Sequence, residues 1–438
     1  MKRRILGCLW LVLLTMPAYG EWYRGNLHCH SHWSDGNALP EYVVQFYKEN
    51  GYHFLCLSDH NIFQSEQLNV REIFGYRFPE TDEKAFEGET STWKPMDGKG
   101  WARLTTKQVE QTEKIFGKGS ILSKQVGEKT YIRLKTFDEL AKQFGEPGRF
   151  LMIPGYEQTG GCPDGRQVHM NFVNVREPFA YLKENQTPVE MIRQTEAKGK
   201  QLYSNIPEGY LFFVNHPLWR YYDVSPEALK ELSHIRFWEL NNNGLTFPPH
   251  EKGWTPEKFW DVVNAYRATH GQELLLAIGS DDRHGYNGEP LRGCMYVQAD
   301  SLTIPAILGA IQKGNFYTSQ DIELEKVDFD AATKTLHVAV KAEEGVSYRI
   351  EFLGTKKGYA EKHEVVDVPA VEKAPARQID VYSDEIGIVL KSVDGTEASY
   401  TLQEDDLYVR ARVTIPGKSE IRERSPLLRP GAWTQPVR

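Results

Sequence analysis

From residue 22 to about residue 320 the chain alternates short apolar runs with longer stretches whose apolar side chains recur at helical spacing. The runs fall at 22–27, 53–58, 150–154, 170–175, 211–214, 235–240, 274–278 and 315–318. Runs this short and this uniformly apolar, set between helices, predict strands buried on both faces, as in a parallel sheet. Helix starts are explicit. Thr136-Phe-Asp-Glu139 and Thr187-Pro-Val-Glu190 have capping-box form, and Ser225-Pro226 and Thr255-Pro256 put proline at the first helical position. Gly51 and Gly145 stand where C-caps are expected. Strand-then-helix order repeated this often predicts an α/β barrel or, failing that, a doubly wound sheet.

Two stretches depart from that rhythm. Residues 62–135 form a long polar segment carrying Trp93 and Trp101, with a helix expected over 106–116, and read as an insertion on the loop side of the barrel. Beyond about residue 320 the period changes to two: 335–341, 347–352, 387–391 and 407–413 alternate apolar and polar side chains between turn residues. That texture predicts a small all-β domain over 321–438, a sandwich able to fold by itself, after a barrel over 21–320. No internal repeat or low-complexity tract is present.

The first residues, Met-Lys-Arg-Arg followed by an apolar stretch to Met16 and Ala18-Tyr19-Gly20, have the basic, apolar and small-residue order of a secretory signal over 1–20. Export to the periplasm or the exterior is therefore expected. No later run is long enough for stable insertion in a membrane. A net charge of −8 and a pI near 6.0 supply no basic footprint, so a nucleic-acid partner is disfavoured. Cys29, Cys56, Cys162 and Cys294 are scattered, signal no thiolate zinc site, and leave any disulfide pairing open.

Histidine placement changes the picture. Of 13 histidines, all but His337 and His363 precede residue 285. His28 and His30 end the first run, and in extended backbone they share a face while Cys29 points away. Later runs close in Asp59-His60, Gly155-Tyr156-Glu157, Asn215-His216, Glu239 with Asn241 to Asn243, and Ser280-Asp281-Asp282-Arg283-His284, with His169 at the mouth of another. Taken singly, each is an ordinary cap or turn former. Gathered on one barrel edge, they form a site for divalent ions, and imidazole with carboxylate but no thiolate suits zinc, manganese or iron. His53, His234, His250 and His270 lie away from that edge and read as structural.

These motifs resemble those of the PHP (polymerase and histidinol phosphatase) domain family: His28-x-His30 with Ser34-Asp35-Gly36, Asp59-His60, Glu157, His169, His216-Pro217 and Asp282-x-His284. The resemblance covers about residues 22–320. It implies a distorted (β/α)7 TIM-like barrel with three metals and hydrolysis of phosphate esters, and two or three divalent transition metal ions are expected here. It further implies that His28, His30, Glu157 and Asp282 hold a first ion, that Glu157 bridges to a second held by His169 and His216, and that Asp35, His60 and His284 hold a third. Two departures stand out: Asp281 and Asp282 both offer a carboxylate, with spacing to His284 favouring Asp282, and Asp35 replaces a histidine found in some members.

Clustered cations lower the pKa of bridging water and support in-line attack on phosphorus, so no protein nucleophile is required. Among residues beside the ligands, Asp59 reads as a support for His60 or as a loop cap, and His32 as a leaving-group proton donor or a structural histidine. Arg283 and Arg292 read as phosphate anchors or as rim arginines. Trp33, Tyr156, Trp219, Tyr221, Tyr222 and Trp238 either line a substrate pocket or pack the fold. The function expected is an exported metal-dependent phosphoesterase acting on a small phosphorylated substrate, with oligomeric state left open. An amidohydrolase-type enzyme for C–N or C–O bonds is the alternative, weakened because no lysine stands at a ligand-bearing strand end. A surface module binding glycan or protein, with a dead barrel, is the other.

Overall fold

The computed structural model describes residues 20–65, 84–86, 92–96, 103–180, 187–219, 224–241, 253–286, 293–370, 375–417 and 430–438. Residues 1–19 of the expected leader, together with Trp101, Tyr221, Tyr222, Asn242, Asn243, His250 and Arg292, lie outside them.

The capping chemistry read from the sequence is realised. Thr136 Oγ1 accepts the Glu139 amide and Glu139 returns the bond to Thr136 N at 2.9 Å, starting the helix Phe137–Phe144. Thr187 and Glu190 do the same for Pro188–Tyr203, and Thr255 caps Pro256–Thr269. Ser225 departs from this: Pro226–Glu231 starts with proline but without a side-chain cap. Seven α-helices lie among the described residues, including the insertion helix Thr106–Phe116.

The strands form mixed sheets rather than the all-parallel one expected. Leu151–Met152, Phe54–Leu55 and Glu21–Asn26 pair in parallel, as do Leu276–Gly279, Phe237–Asn241 and Leu211–Val214. Gly155–Gly161 and Gln167–Val173 instead make an antiparallel hairpin, and Gln167–Val173 runs antiparallel to Leu211–Val214. The five residues between the hairpin strands are too few for the crossover that parallel pairing requires, which takes about a dozen. On the other sheet, Cys294–Ala299 runs antiparallel along Glu21–Asn26 and Phe316–Gln320 antiparallel along Cys294–Ala299.

Both sheets enclose one apolar core, in which Leu27, Phe54, Ile153, Phe213, Ile278 and Val297 are fully buried. At one end the sheets are joined by parallel bridges, Cys29 to Arg283 and His60 to Glu157. Lower down, Gly279 lets two backbones meet, since a Cβ there would lie 2.3 Å from the Cys294 carbonyl oxygen. Near that seam the Gln435 amide acts as a short substitute strand: its Oε1 accepts Ala277 N at 2.8 Å and its Nε2 donates to Ala277 O at 3.0 Å. Gln435→Ala is expected to leave that buried N–H unpaired, at a cost of about 1–3 kcal/mol. A urea melt should show the lowered midpoint.

The chain after residue 320 is all strand and turn among the described residues, but its sheet is not separate. Gly431–Thr434 pairs with Phe316–Gln320 on one side and Asp406–Thr414 on the other, so one nine-stranded sheet runs on through Arg349–Lys356 to Ile388–Asp394. The insertion adds a three-stranded sheet of Trp93–Pro95, Lys129–Arg133 and Ser123–Val126, and packs Leu104, Ile132 and Leu134 against Trp33. Cys29, Cys56, Cys162 and Cys294 are all buried.

Candidate metal centre

The end of the enclosure marked by the two bridges is where the polar residues converge. His28 and His30 follow Glu21–Asn26, His60 follows Phe54–Leu55, and His216 follows Leu211–Val214. Asp282 and His284 follow Leu276–Gly279. Glu157 and His169 come from the antiparallel hairpin, where alternation puts His169 and Asn171 on the inner face and sends Val168, Met170 and Phe172 into a separate apolar core. His169 lies near the start of its strand, and it reaches the site because that strand runs the opposite way.

Glu157 is the hub and is fully buried. Its Oε2 has three imidazole nitrogens around it: His28 Nε2 at 3.2 Å, His30 Nε2 at 3.2 Å and His60 Nδ1 at 2.9 Å. Its Oε1 faces His169 Nδ1 at 2.9 Å and accepts a hydrogen bond from Asn215 Nδ2 at 2.7 Å. Asp282 Oδ1 stands 3.2 Å from His28 Nε2 and 3.1 Å from His30 Nε2, and His216 Nε2 lies 3.7 Å from Asp282 Oδ2. Toward the opening, Asp35 Oδ1 faces His284 Nε2 at 3.3 Å and His60 Nε2 at 3.5 Å. Asp35 and His284 retain 26% and 22% side-chain exposure, so a molecule arriving from solvent meets them first.

Charge balances charge throughout. Burial works to keep Glu157 neutral, but the imidazoles of His60, His28 and His169 hold it well below the ordinary carboxylate range. Asp35 is likewise held low, against burial, by His284 and His60. His284 is pushed up to about 10 despite burial, chiefly by Asp35, whereas burial takes His169 down to about 4 against the pull of Glu157.

Whether these residues fit metal ions can be tested on His28. Its Nδ1 is tied to Glu239 Oε1 at 2.8 Å, an arrangement that places the ring proton there and leaves a lone pair on Nε2. That Nε2 is buried and makes no hydrogen bond, and neither does Glu157 Oε2 opposite it. Despite burial, Asp282, Glu239 and Glu157 favour a positive charge at this ring, so the space between its Nε2 and Glu157 Oε2 calls for a cation, whether proton or metal ion, and the donor set fits. All nine expected ligands come together, in four overlapping groups whose ligand atoms lie within 4.8 Å of one another. Those groups are His30, Asp35, His60 and His284; His28, His30 and Glu157; His28, His216 and Asp282; and His60, Glu157 and His169. The overlap differs from the division that the sequence resemblance implies, with His28, His30 and His60 each belonging to two groups.

No protein-family model matches the chain, and no curated protein matches it. It is similar to solved structures. One is a two-domain protein from Bacteroides vulgatus containing a predicted PHP-like metal-dependent phosphoesterase, at 14% identity, covering 98% of this chain and 100% of that one, with a TM-score of 0.38. Another, from Bifidobacterium adolescentis and described as a candidate metal-dependent phosphoesterase, has 14% identity, covers 63% of this chain and 91% of that one, and has a TM-score of 0.27. At such identity and overlap these likenesses carry no argument, and function is argued from side-chain geometry.

The supporting residues sort differently from expectation. Asp59 is a scaffold: its carboxylate accepts Ser31 N and Ser34 N, both of their hydroxyls, and Gln64 Nε2, all within 3.1 Å, and so shapes the loop carrying His30 and Asp35. His32 is buried with Nε2 on the Pro95 carbonyl at 3.1 Å, away from the ligand cluster. Arg283 is buried against Asp281, not presented to the opening. Trp33, Tyr156 and Trp238 pack the interior, while Trp219 stays partly exposed beside His216.

Sequence reasoning left other contributors without a role. Glu239 orients His28 and also accepts His216 N at 2.9 Å and the Ser280 hydroxyl. A carboxylate inside an otherwise apolar run was the available signal. Lys94, from the insertion, donates to the Trp33 and Ser34 carbonyls behind the 28–36 loop, and burial lowers its pKa to about 8 against the influence of Asp59 and Asp35. Nothing local in the sequence ties residue 94 to residue 34.

Proposed function

We propose that this chain is an exported metal-dependent phosphoesterase that hydrolyses a small phosphorylated molecule. The observation that carries the reading is the pairing of buried, unbonded Glu157 Oε2 and His28 Nε2 at the centre of a histidine-rich cluster. His28, His30, Glu157 and Asp282 would hold ions at the deep end, His169 and His216 beside Glu157, and Asp35, His60 and His284 near the opening. Zinc, manganese or iron suits these donors. Bound there, such ions would acidify water and screen the charge of phosphate oxygens.

The chain's own residues prepare that chemistry. Glu239 keeps the His28 proton on Nδ1, Asp59 and Lys94 hold the 28–36 loop, and the half-open Asp35–His284 edge admits the substrate. Glu157, rather than a lysine, occupies the hub, which favours phosphate esters over amides. The bridged, enclosing sheets support a distorted (β/α)7 barrel over 21–320, and the strand-rich remainder a β-sandwich domain over 321–438. Export rests on the signal-like order of residues 1–20. Among the described residues, no helix is long and apolar enough to cross a membrane.

Metal analysis of purified protein beside a panel of phosphomonoesters, phosphodiesters, amides and lactones tests the reading. Two or three equivalents of transition metal and turnover of a phosphate ester are expected. Hydrolysis confined to amides or lactones would transfer the chain to the alternative class, and a metal-free, inert protein would end the enzyme reading.

A further inference from the structure

Asp281 and Arg283 flank the ligand Asp282, and the sequence offers them as a rival ligand and a phosphate anchor. Their side chains instead meet each other. Arg283 Nε donates to Asp281 Oδ2 at 2.6 Å, and the Tyr47 hydroxyl donates to the same oxygen at 2.9 Å. Asp281 is 0% and Arg283 3% exposed. The guanidinium also donates from Nη1 to the Gly285 carbonyl at 3.1 Å and lies over the rings of Phe46 and Tyr286. The Tyr286 hydroxyl returns to the backbone of the metal-binding loop, donating to His30 O at 3.0 Å.

A buried ion pair seldom repays its desolvation in stability, which leaves room for a local role in holding the backbone. Asp282 supplies one. Its φ is +42°, in the left-handed region, uncommon for any residue with a Cβ though less so for aspartate than for most. Hydrogen bonds to its backbone grip the segment at three points: Asp281 N donates to the Asn26 side-chain Oδ1 at 3.0 Å, Asp282 N to His28 O at 2.9 Å, and His30 N to Arg283 O at 2.9 Å. The ion pair adds a link between the residues on either side of the turn.

We propose that the Asp281–Arg283 ion pair is a clamp that keeps Asp282 in its left-handed conformation, with its carboxylate between His28 and His30. Arg283 is on this reading a positioning residue for metal binding. The inference rests on the metal reading of the site.

Cobalt(II) titrated into the metal-free full chain and read by visible absorption tests the clamp without recourse to turnover. The double variant Asp281→Asn, Arg283→Met removes the pair without stranding a buried charge, and its metal-free unfolding temperature should stay close to the parent's. Its cobalt affinity is expected to fall by about 10- to 100-fold, the range for losing a group that orients a ligand. Tyr47→Phe, which removes one donor to Asp281, should weaken binding by a few-fold, and it carries the test if the double variant does not fold. Parental cobalt affinity in the folded variants overturns the clamp. So does an equal loss in Thr187→Ala, a helix-cap variant outside the site, because binding would then follow stability alone. If the parent itself takes up no cobalt, the metal reading falls and the clamp with it, whereas normal uptake by parent and variants alike sinks the clamp only.

Discussion

Glu157→Gln is expected to strip the protein of most of its metal and to abolish phosphoesterase turnover. Glutamine keeps the shape of the side chain but removes the negative charge on which the His28, His30 and His60 nitrogens converge. It also puts an N–H₂ group where lone pairs are needed. Losing a group that merely orients a ligand costs about 10- to 100-fold in metal affinity or activity, so loss of the shared carboxylate should exceed about a hundredfold. Metal content by mass spectrometry and kcat on a phosphomonoester give the readouts, with circular dichroism to establish that the variant is folded. Parental turnover in a folded Glu157→Gln protein would remove the basis for the proposed function.

The second large effect lies far from the cluster, in the joint between the helix Pro256–Thr269 and the strand Asp406–Thr414. Arg410 is fully buried there, with Nε on Asp261 Oδ1 at 2.9 Å and Nη2 on both Asp261 Oδ2, at 2.6 Å, and Glu257 Oε2, at 2.9 Å. Tyr408 donates to Asp261 Oδ1 at 2.9 Å, and Arg412 links Glu257 to Glu351. Even a glycine is needed nearby: a Cβ on Gly387, whose φ is +71°, would lie 2.4 Å from Asp261 Oδ2. Arg410→Met leaves Asp261 buried without its principal counter-charge, and breaking such a pair costs about 3–5 kcal/mol. A urea melt should show a much lower midpoint, and Asp261→Asn in the same chain should recover part of it. A midpoint unchanged by Arg410→Met would show that the network contributes nothing to stability.

The same network implies a pH dependence. Despite burial, Arg410 and Arg412 hold Glu257 down to about 2, against an ordinary value of 4.5. A carboxylate depressed in the folded state stabilises fully above its unfolded pKa and loses that contribution as pH falls through the folded one. The contribution from Glu257 is therefore expected to be intact above about pH 5, and to decline from about 4.5 toward 2. In Arg410→Met that portion of the acid-unfolding curve should flatten.

Much of the site is legible in the primary structure because its candidate ligands hang on strand ends, and strand ends are marked by short-range signals. The alternation in His28-Cys29-His30 is a property of extended backbone, and it holds: both imidazoles enter the cluster while Cys29 is buried in an apolar one. The helices are equally local, since Thr136 with Glu139 and Thr187 with Glu190 carry their hydrogen-bond partners three residues away. Strand direction is not local. Nothing within 155–173 states that the segment folds back on itself, apart from a connection too short for a crossover, and the glycine-rich run 155–161 lacks the apolar signature of a strand.

What the amino-acid sequence determines by itself is the inventory: which residues are candidate ligands, where the helices start, and where period-two strands replace the alternation of strand and helix. Tertiary structure brought Asp282 and not Asp281 into the cluster, turned Arg283 inward, set Glu239 and Lys94 beside that cluster, and carried one sheet across residue 320 by inserting Gly431–Thr434 beside Phe316–Gln320. The division has a physical cause. Capping and side-chain alternation are set by hydrogen bonds and backbone geometry within a few residues, whereas charge partners and sheet neighbours depend on which distant segments burial brings together.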